Sequence, residues 1–416
     1  MATVGRDIAS VELTEREHWE DGPPLSVFKE MRQGCPVHYT REVSEFPDEG
    51  GFWSVTTAED VHTVSRDWQT YSSELGGVTL VTEVFPLELA RAMFIGMDPP
   101  KHDRIKALFQ AGFTPKRIAA HEEKIREIVV RCLDRIEGRE ECDLVTDVAQ
   151  PAVARVIGSF MGIPEEDDAI WAELMNSTLG AGDPDLNPEG GTNPEDLEAA
   201  VQKNVAEIFS RCGEMIAARR DQPTDDLTSV LVQAEIEGES LAEHEIVMGF
   251  FLLVAAGNDS TKATYCSGMR ALIEDPEQRR LLLDDPSLIP GAVEESLRMF
   301  PAFAHFRRTA TRDIELHGQQ IKEGDKVVMW YASSNRDESR YEDPDRFDVL
   351  RNPEHQAFGA GGRHFCLGTA LARLELKILF EETLARYPDM ALAGSPKFTE
   401  SAFINQLKTL PVRLVD

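Results

Sequence analysis

Two periodicities divide this chain. Near the N-terminus, in "PVHYT" (36–40) and "GFWSVT" (51–56), aromatic and β-branched residues alternate with polar ones, the mark of short strands. From Pro99 onward apolar residues recur at spacings of three and four, and the pattern becomes helical. "KRIAAHEEKIREIVVRCLDRIEG" (116–138) predicts one helix that ends at a glycine. "NPEDLEAAVQKNVAEIFSRCGEMIAARR" (193–220) opens on Asn-Pro with acids in its first turn and predicts another. The Gly-, Pro-, Asp- and Asn-rich segment 180–196 is expected to be a long surface loop of the kind that serves as a lid. The longest apolar stretch, 240–275, starts with a Ser-x-x-Glu capping box at Ser240 and Glu243 and is apolar almost all round. It predicts a core helix of ~30 residues, roughly 45 Å long. "IPGAVEESLRMFP" (289–301) follows as a helix and "KVVMWYA" (326–332) as a strand. Irregular chain then runs to Phe358, and 367–388 forms the closing helix.

Composition narrows the class. Hydrophobic residues make up 42% of 416 and charged residues 28%, which describes a soluble globular protein. With no apolar run at the N-terminus, a cytoplasmic protein without a membrane anchor is expected. A net charge of −31 and the lack of a basic stripe exclude nucleic acid as a partner. No repeat or linker divides the chain, so residues 1–416 are expected to form a single domain.

Of six scattered cysteines, five read as buried thiols, with no paired spacing for zinc or disulfides. Cys366 differs. It lies in "FGAGGRHFCLG" (358–368), among four glycines, beside Arg363 and His364 and at the start of the closing helix near Leu367. A helix N-terminus and neighbouring cations lower a thiol's pKa. Such a thiolate serves as a nucleophile or as a metal ligand. A nucleophile wants a nearby base, whereas a haem ligand wants a flat glycine bed and cations for propionates, and the loop fits the second use better.

Two further motifs carry polar groups, the first a pair of the kind that is mostly a solvated surface contact, the second a cluster where the pattern says core. In "EESLR", Glu295 and Arg298 share a helix face and can pair. In "AAGNDST" (255–261), Gly257, Asn258, Asp259 and Ser260 interrupt the apolar helix. That stretch is either a kink with locally satisfied side chains or a widened groove with an acid and an alcohol beside a reactive oxygen.

Taken in order, these motifs resemble the cytochrome P450 haem-thiolate monooxygenases in their soluble bacterial form, over nearly the whole chain. "MDPPKH" (97–102) resembles the start of a haem-contacting helix, "AGNDST" the oxygen-activating stretch, "EESLR" the structural Glu-x-x-Arg motif, and "FRRTA" (306–310) a propionate-binding strand. The resemblance implies a mainly α fold with small antiparallel β-sheets, haem b lying between the long central helix and the cysteine-ligand helix. It makes Cys366 the axial iron ligand, whose electron donation favours O–O cleavage. It places His102, Lys106, Arg308 and His364 around the propionates, and makes Asp259 and Ser260 the acid and alcohol that deliver protons. Glu295 and Arg298 are then structural, locked with the segment around Arg351. Leu252, Ala255, Ala256, Phe303 and Phe403 are expected to line a pocket for a steroid, terpenoid or branched lipid.

O2 and electrons from a ferredoxin and its NAD(P)H-dependent ferredoxin reductase complete the expected reaction. Lys101, Arg104, Lys116 and Arg117 form the expected ferredoxin dock. Three departures stand out: eight steps rather than seven from Phe358 to Cys366, as in a subgroup acting on steroids and branched lipids; Lys106 where arginine is common; and Ser260 where threonine is common. The alternatives are a haem-thiolate peroxygenase, isomerase or dehydratase, a haem sensor, and a cysteine-nucleophile hydrolase.

Overall fold

The computed structural model describes residues 11–44, 46–81, 87–110, 112–179, 183, 185–186, 194–236 and 238–414. Its axis is the helix Glu243–Glu274, 32 residues long and buried along most of its length. Around it pack the helices Gln150–Met161, Asp168–Leu179, Pro194–Asp221, Ile289–Met299 and Thr369–Arg386. Because the central helix is apolar on nearly every side, it can be covered on every side, and the main hydrophobic cluster forms about it. Gly257 lets it approach a neighbour: a Cβ there would lie 2.9 Å from Ile157 Cδ1. The helix passes through this glycine without a break.

Two predicted helix boundaries shift. The capping box is not Ser240 with Glu243, because Ser240 pairs with Glu235 in a short hairpin. Helix formation starts at Glu243 instead, and Glu245 Oε2 accepts the Ala242 N–H at 3.0 Å. The 116–138 stretch is two helices, Pro115–Ala119 and Glu122–Asp134. The chain tightens between them, with the Ala120 N–H reaching Arg117 O and His121 N–H reaching Ile118 O.

The N-terminal strands Val37–Thr40 and Phe52–Val55 join a five-stranded sheet with Lys326–Trp330, His305–Ala310 and Tyr71–Ser72, in that order. Phe52–Val55 and Lys326–Trp330 run parallel, while the other pairs in this sheet are antiparallel. Alternation along His305–Ala310 sends Arg307 and Arg308 to opposite faces. Arg307 turns to the carbonyls of Thr79 and Leu80, and Arg308 turns to the interior. Most of the expected lid loop, and residues 82–86 within the largely apolar stretch 76–94, lie outside the described residues. Among the described residues, no helix is long and apolar enough to cross a membrane.

Candidate active site

The glycine loop is built by backbone geometry. Gly359, Gly361 and Gly362 have φ of +91°, +89° and +81°, a region that side-chain-bearing residues adopt only at a cost. The loop doubles back so that the Cys366 N–H donates to Phe358 O at 2.9 Å. Gly368 has φ −82° and needs no such freedom. Cys366 is the exposed member of six free cysteines, and the surface it exposes is the wall of an interior cavity. The cavity encloses about 200 Å³.

The electrostatics differ from the sequence expectation. The ligand helix begins at Thr369, so Cys366 stands ahead of its first turn. Burial pushes the Cys366 thiol up, and the Gly368 N–H, Lys106 and Arg373 offset part of that. Arg363 is exposed and paired with Asp103 at 2.7 Å. His364 is held well below its usual value by burial and by Arg308, His102 and Lys106, so it is neutral. The free thiol is therefore not activated by Arg363 and His364. What the geometry offers is a coordination position.

His102, Lys106, Arg308 and His364 do converge, on one part of the cavity wall. The His102 and His364 rings lie 4.3 Å apart. His102 Nδ1 is 2.9 Å from Asp103 Oδ1, while its Nε2 is buried without a partner among the described residues. Burial and the neighbouring cations disfavour protonation of both rings. A carboxylate-bearing cofactor would relieve that crowding and satisfy the orphaned nitrogen. Lys106 is engaged differently from the expectation: its Nζ donates to Phe365 O at 2.7 Å and to Arg363 O, so it clamps the cysteine loop.

Helical geometry sorts the central-helix residues. Leu252, Leu253, Ala256, Gly257, Ser260 and Thr261 line the cavity. Consecutive residues are about 100° apart, so Ala255 and Asp259 fall on another face. Ala255 is buried away from the cavity, which corrects its expected place in the pocket. Asp259 is fully buried and paired with Lys262, whose Nζ also donates to Asn176 Oδ1 at 2.7 Å on a neighbouring helix. Ser260 faces the cavity and donates to Ala256 O at 2.7 Å. The acid and the alcohol are thus neighbours in sequence but on different faces. Phe303 lines the cavity. Phe403 is not on the wall, because the chain pairing of Ala304 with Phe403 sets it behind, 5.2 Å from the Phe303 ring and 5.7 Å from Phe306.

Glu295 and Arg298 form the structural knot expected of them. Arg298 bonds both Glu295 oxygens, Asn335 O and Pro344 O, and Arg351 Nε reaches Glu295 Oε1 at 3.1 Å.

Sequence reasoning missed Glu375. Its Oε2 accepts the Thr261 hydroxyl at 2.8 Å, and both residues line the cavity. The available signal was its position four after Leu371, on the core face of the ligand helix. Burial pushes the carboxyl up to about 8. At neutral pH the folded chain therefore holds a proton that the unfolded chain, near 4.5, has released. The stability from this group is full below about pH 4.5 and is lost as pH rises through about 8. Melting temperatures of Glu375→Gln, measured across that window, should fall less steeply than those of the unsubstituted protein. Parallel curves would contradict the assignment.

A single cysteine in a glycine-built loop, on a cavity with a buried cluster of basic side chains, on a helical fold: together these define a haem-thiolate protein. Comparison with known proteins gives the family. A family model described as Cytochrome P450 matches residues 283–393. The methyl-branched lipid omega-hydroxylase of Mycobacterium tuberculosis is 37% identical over 97% of this chain and 95% of its own. The steroid C26-monooxygenase of Rhodococcus jostii is 32% identical over 96% of this chain and 84% of its own. The solved structure of Mycobacterium marinum cytochrome P450 CYP268A2 in complex with pseudoionone superposes with TM-score 0.89 at 35% identity, covering 99% of this chain and all of that one. The chain belongs to the cytochrome P450 family, and as a monooxygenase of that family it binds haem b.

Proposed function

We propose that this protein hydroxylates an apolar, lipid-like substrate (a steroid, terpenoid or methyl-branched lipid) with electrons from a ferredoxin and its reductase. The observation that carries the reading is the cavity wall, where Phe94, Ile95, Ile157, Leu252, Leu297 and Phe303 present carbon to the ligand. Such a wall gains roughly 25 cal/mol per Å² of buried apolar surface and offers a polar ligand few groups to hold it. The names of the relatives support the same class, as does the testosterone complex of Bacillus megaterium CYP109E1, at TM-score 0.84 and 32% identity over 96% of this chain. Lys101, Arg104, Lys116 and Arg117 are exposed side chains on adjacent helices and suit an acidic ferredoxin in a chain of net charge −31. The test is a screen read by the haem's low- to high-spin shift. Methyl-branched fatty acids, steroids and terpenoids should shift the spectrum. A shift only with small polar compounds would refute the substrate class while leaving the family intact.

In this reading Cys366 would ligate the iron and His102, Arg308 and His364 would hold the propionates, while Lys106 fixes the cysteine loop. Bound haem supplies the activation of O2 for insertion of one oxygen atom. The chain supplies the proton path. The Ser260 hydroxyl on the cavity wall orients a proton, and Asp259 on the adjoining face replenishes it by leaving Lys262, taking up a proton from solvent and passing that proton inward. Ser260→Ala should keep its haem yet divert electrons into peroxide, with product formation down roughly 10²-fold. Asp259→Asn should lose more turnover. It also strands buried Lys262, so haem content must be measured alongside. Wild-type coupling in both variants would remove the relay.

A further inference from the structure

"EESLR" holds a second acid, Glu294, that the Glu295–Arg298 knot does not use. Its carboxylate takes a two-pronged ion pair from Arg373, Nε to Oε1 at 2.6 Å and Nη2 to Oε2 at 2.8 Å. His355 lies 3.2 Å from the same carboxylate through Nε2, and its Nδ1 accepts the Ala357 N–H at 3.2 Å. That second bond makes Nε2 the protonated nitrogen and so a donor to Glu294. The Arg373 guanidinium lies 4.8 Å from the centre of the Phe358 ring, and the His355 ring is 5.6 Å from it. Phe358 lines the cofactor cavity, and its carbonyl receives the Cys366 N–H. The charged group thus stacks on the aromatic residue that closes the thiolate side of the loop.

We propose that Glu294, Arg373 and His355 are positioning residues that brace Phe358 and, by their balance of charge, set the electron-donating strength of the Cys366 thiolate. The pair is only partly exposed, with side chains 20% and 41% accessible for Glu294 and Arg373, so solvent screens it incompletely. Arg373 favours the Cys366 thiolate, and the Glu294 carboxylate bound to it offsets part of that charge. Loss of either member leaves one charge behind, and the two losses have opposite signs. Reduction adds an electron, so a stranded guanidinium favours the ferrous state and a stranded carboxylate opposes it.

The proposal rests on ligation of haem iron by Cys366, and the test separates the two. The ferric–ferrous potential is measured on haem-loaded Glu294→Gln, Arg373→Met, Arg373→Lys and the Gln/Met double variant, with the carbon-monoxide spectrum of each. Glu294→Gln should raise the potential and Arg373→Met should lower it. The double variant should return toward the unsubstituted value, and Arg373→Lys, which keeps the charge but not the fork, should restore most of the Met shift. If Arg373→Met fails to incorporate haem, a raised potential in Glu294→Gln beside a nearly unchanged one in Arg373→Lys still tests the proposal, and a Glu294→Gln potential that is lowered or unmoved overturns it. Singles that move the same way, or not at all, while the thiolate band persists overturn the proposal. Absence of the thiolate band in the unsubstituted protein instead refutes ligation by Cys366.

Discussion

Cys366→His should abolish the thiolate-specific absorption of the reduced, carbon-monoxide-bound protein, and monooxygenase turnover with it. Cys132, Cys142, Cys212 and Cys266 are buried outside the cavity wall and Cys35 is far along the chain in the N-terminal region, so none replaces the lost ligand. The loop cannot re-present the new side chain. Its backbone is fixed by three left-handed glycines, by the bond from the Ser65 hydroxyl to Gly361 O, and by that from Cys366 N–H to Phe358 O. The larger imidazole must enter a space shaped for a sulfur that lies 4.0 Å from where a Gly368 Cβ would stand. Burial raises the free thiol, so the anionic form in the loaded protein depends on iron, assisted by the Gly368 N–H, Lys106 and Arg373. The expected loss of the band is complete. A variant that kept it would show that another group ligates the iron.

Glu295→Ala should leave a protein that scarcely folds or retains haem. Glu295 and Arg298 are both fully buried. Alanine at 295 removes the acceptor for Arg298, for the Asp348 N–H and for Arg351 at once, and leaves the guanidinium without a counterion. Breaking a buried pair from one side costs about 3–5 kcal/mol. That is a large part of the 5–15 kcal/mol by which native proteins are stable. Arg298→Lys should fail nearly as badly, since one ammonium cannot reach Glu295 Oε1, Glu295 Oε2, Asn335 O and Pro344 O together. The ratio of haem to protein and the denaturant midpoint measure both effects. A soluble Glu295→Ala variant with an unshifted midpoint would contradict this account.

The amino-acid order by itself determined the elements with strong, self-contained signals. The central helix is legible from its apolar run, the Pro194–Asp221 helix from its Asn-Pro start, and the cysteine loop from glycines that only a left-handed backbone needs. The Glu-x-x-Arg pair was legible because its spacing of three sets both partners on one helix face. Local spacing carried each of these readings. Tertiary structure decided what depends on distant partners. Ser240 was taken into a hairpin, and the helix cap moved to Ala242 and Glu245. Packing chose which stripe of the central helix meets the cavity, admitting Ala256 and Ser260 while turning Ala255 and Asp259 away. Lys106 reached loop carbonyls more than 250 positions onward, and Thr261 met Glu375 across 114. A helix's period ranks its faces but does not say which neighbour each will meet, and a carboxyl's charge state follows from burial, which only the assembled fold supplies.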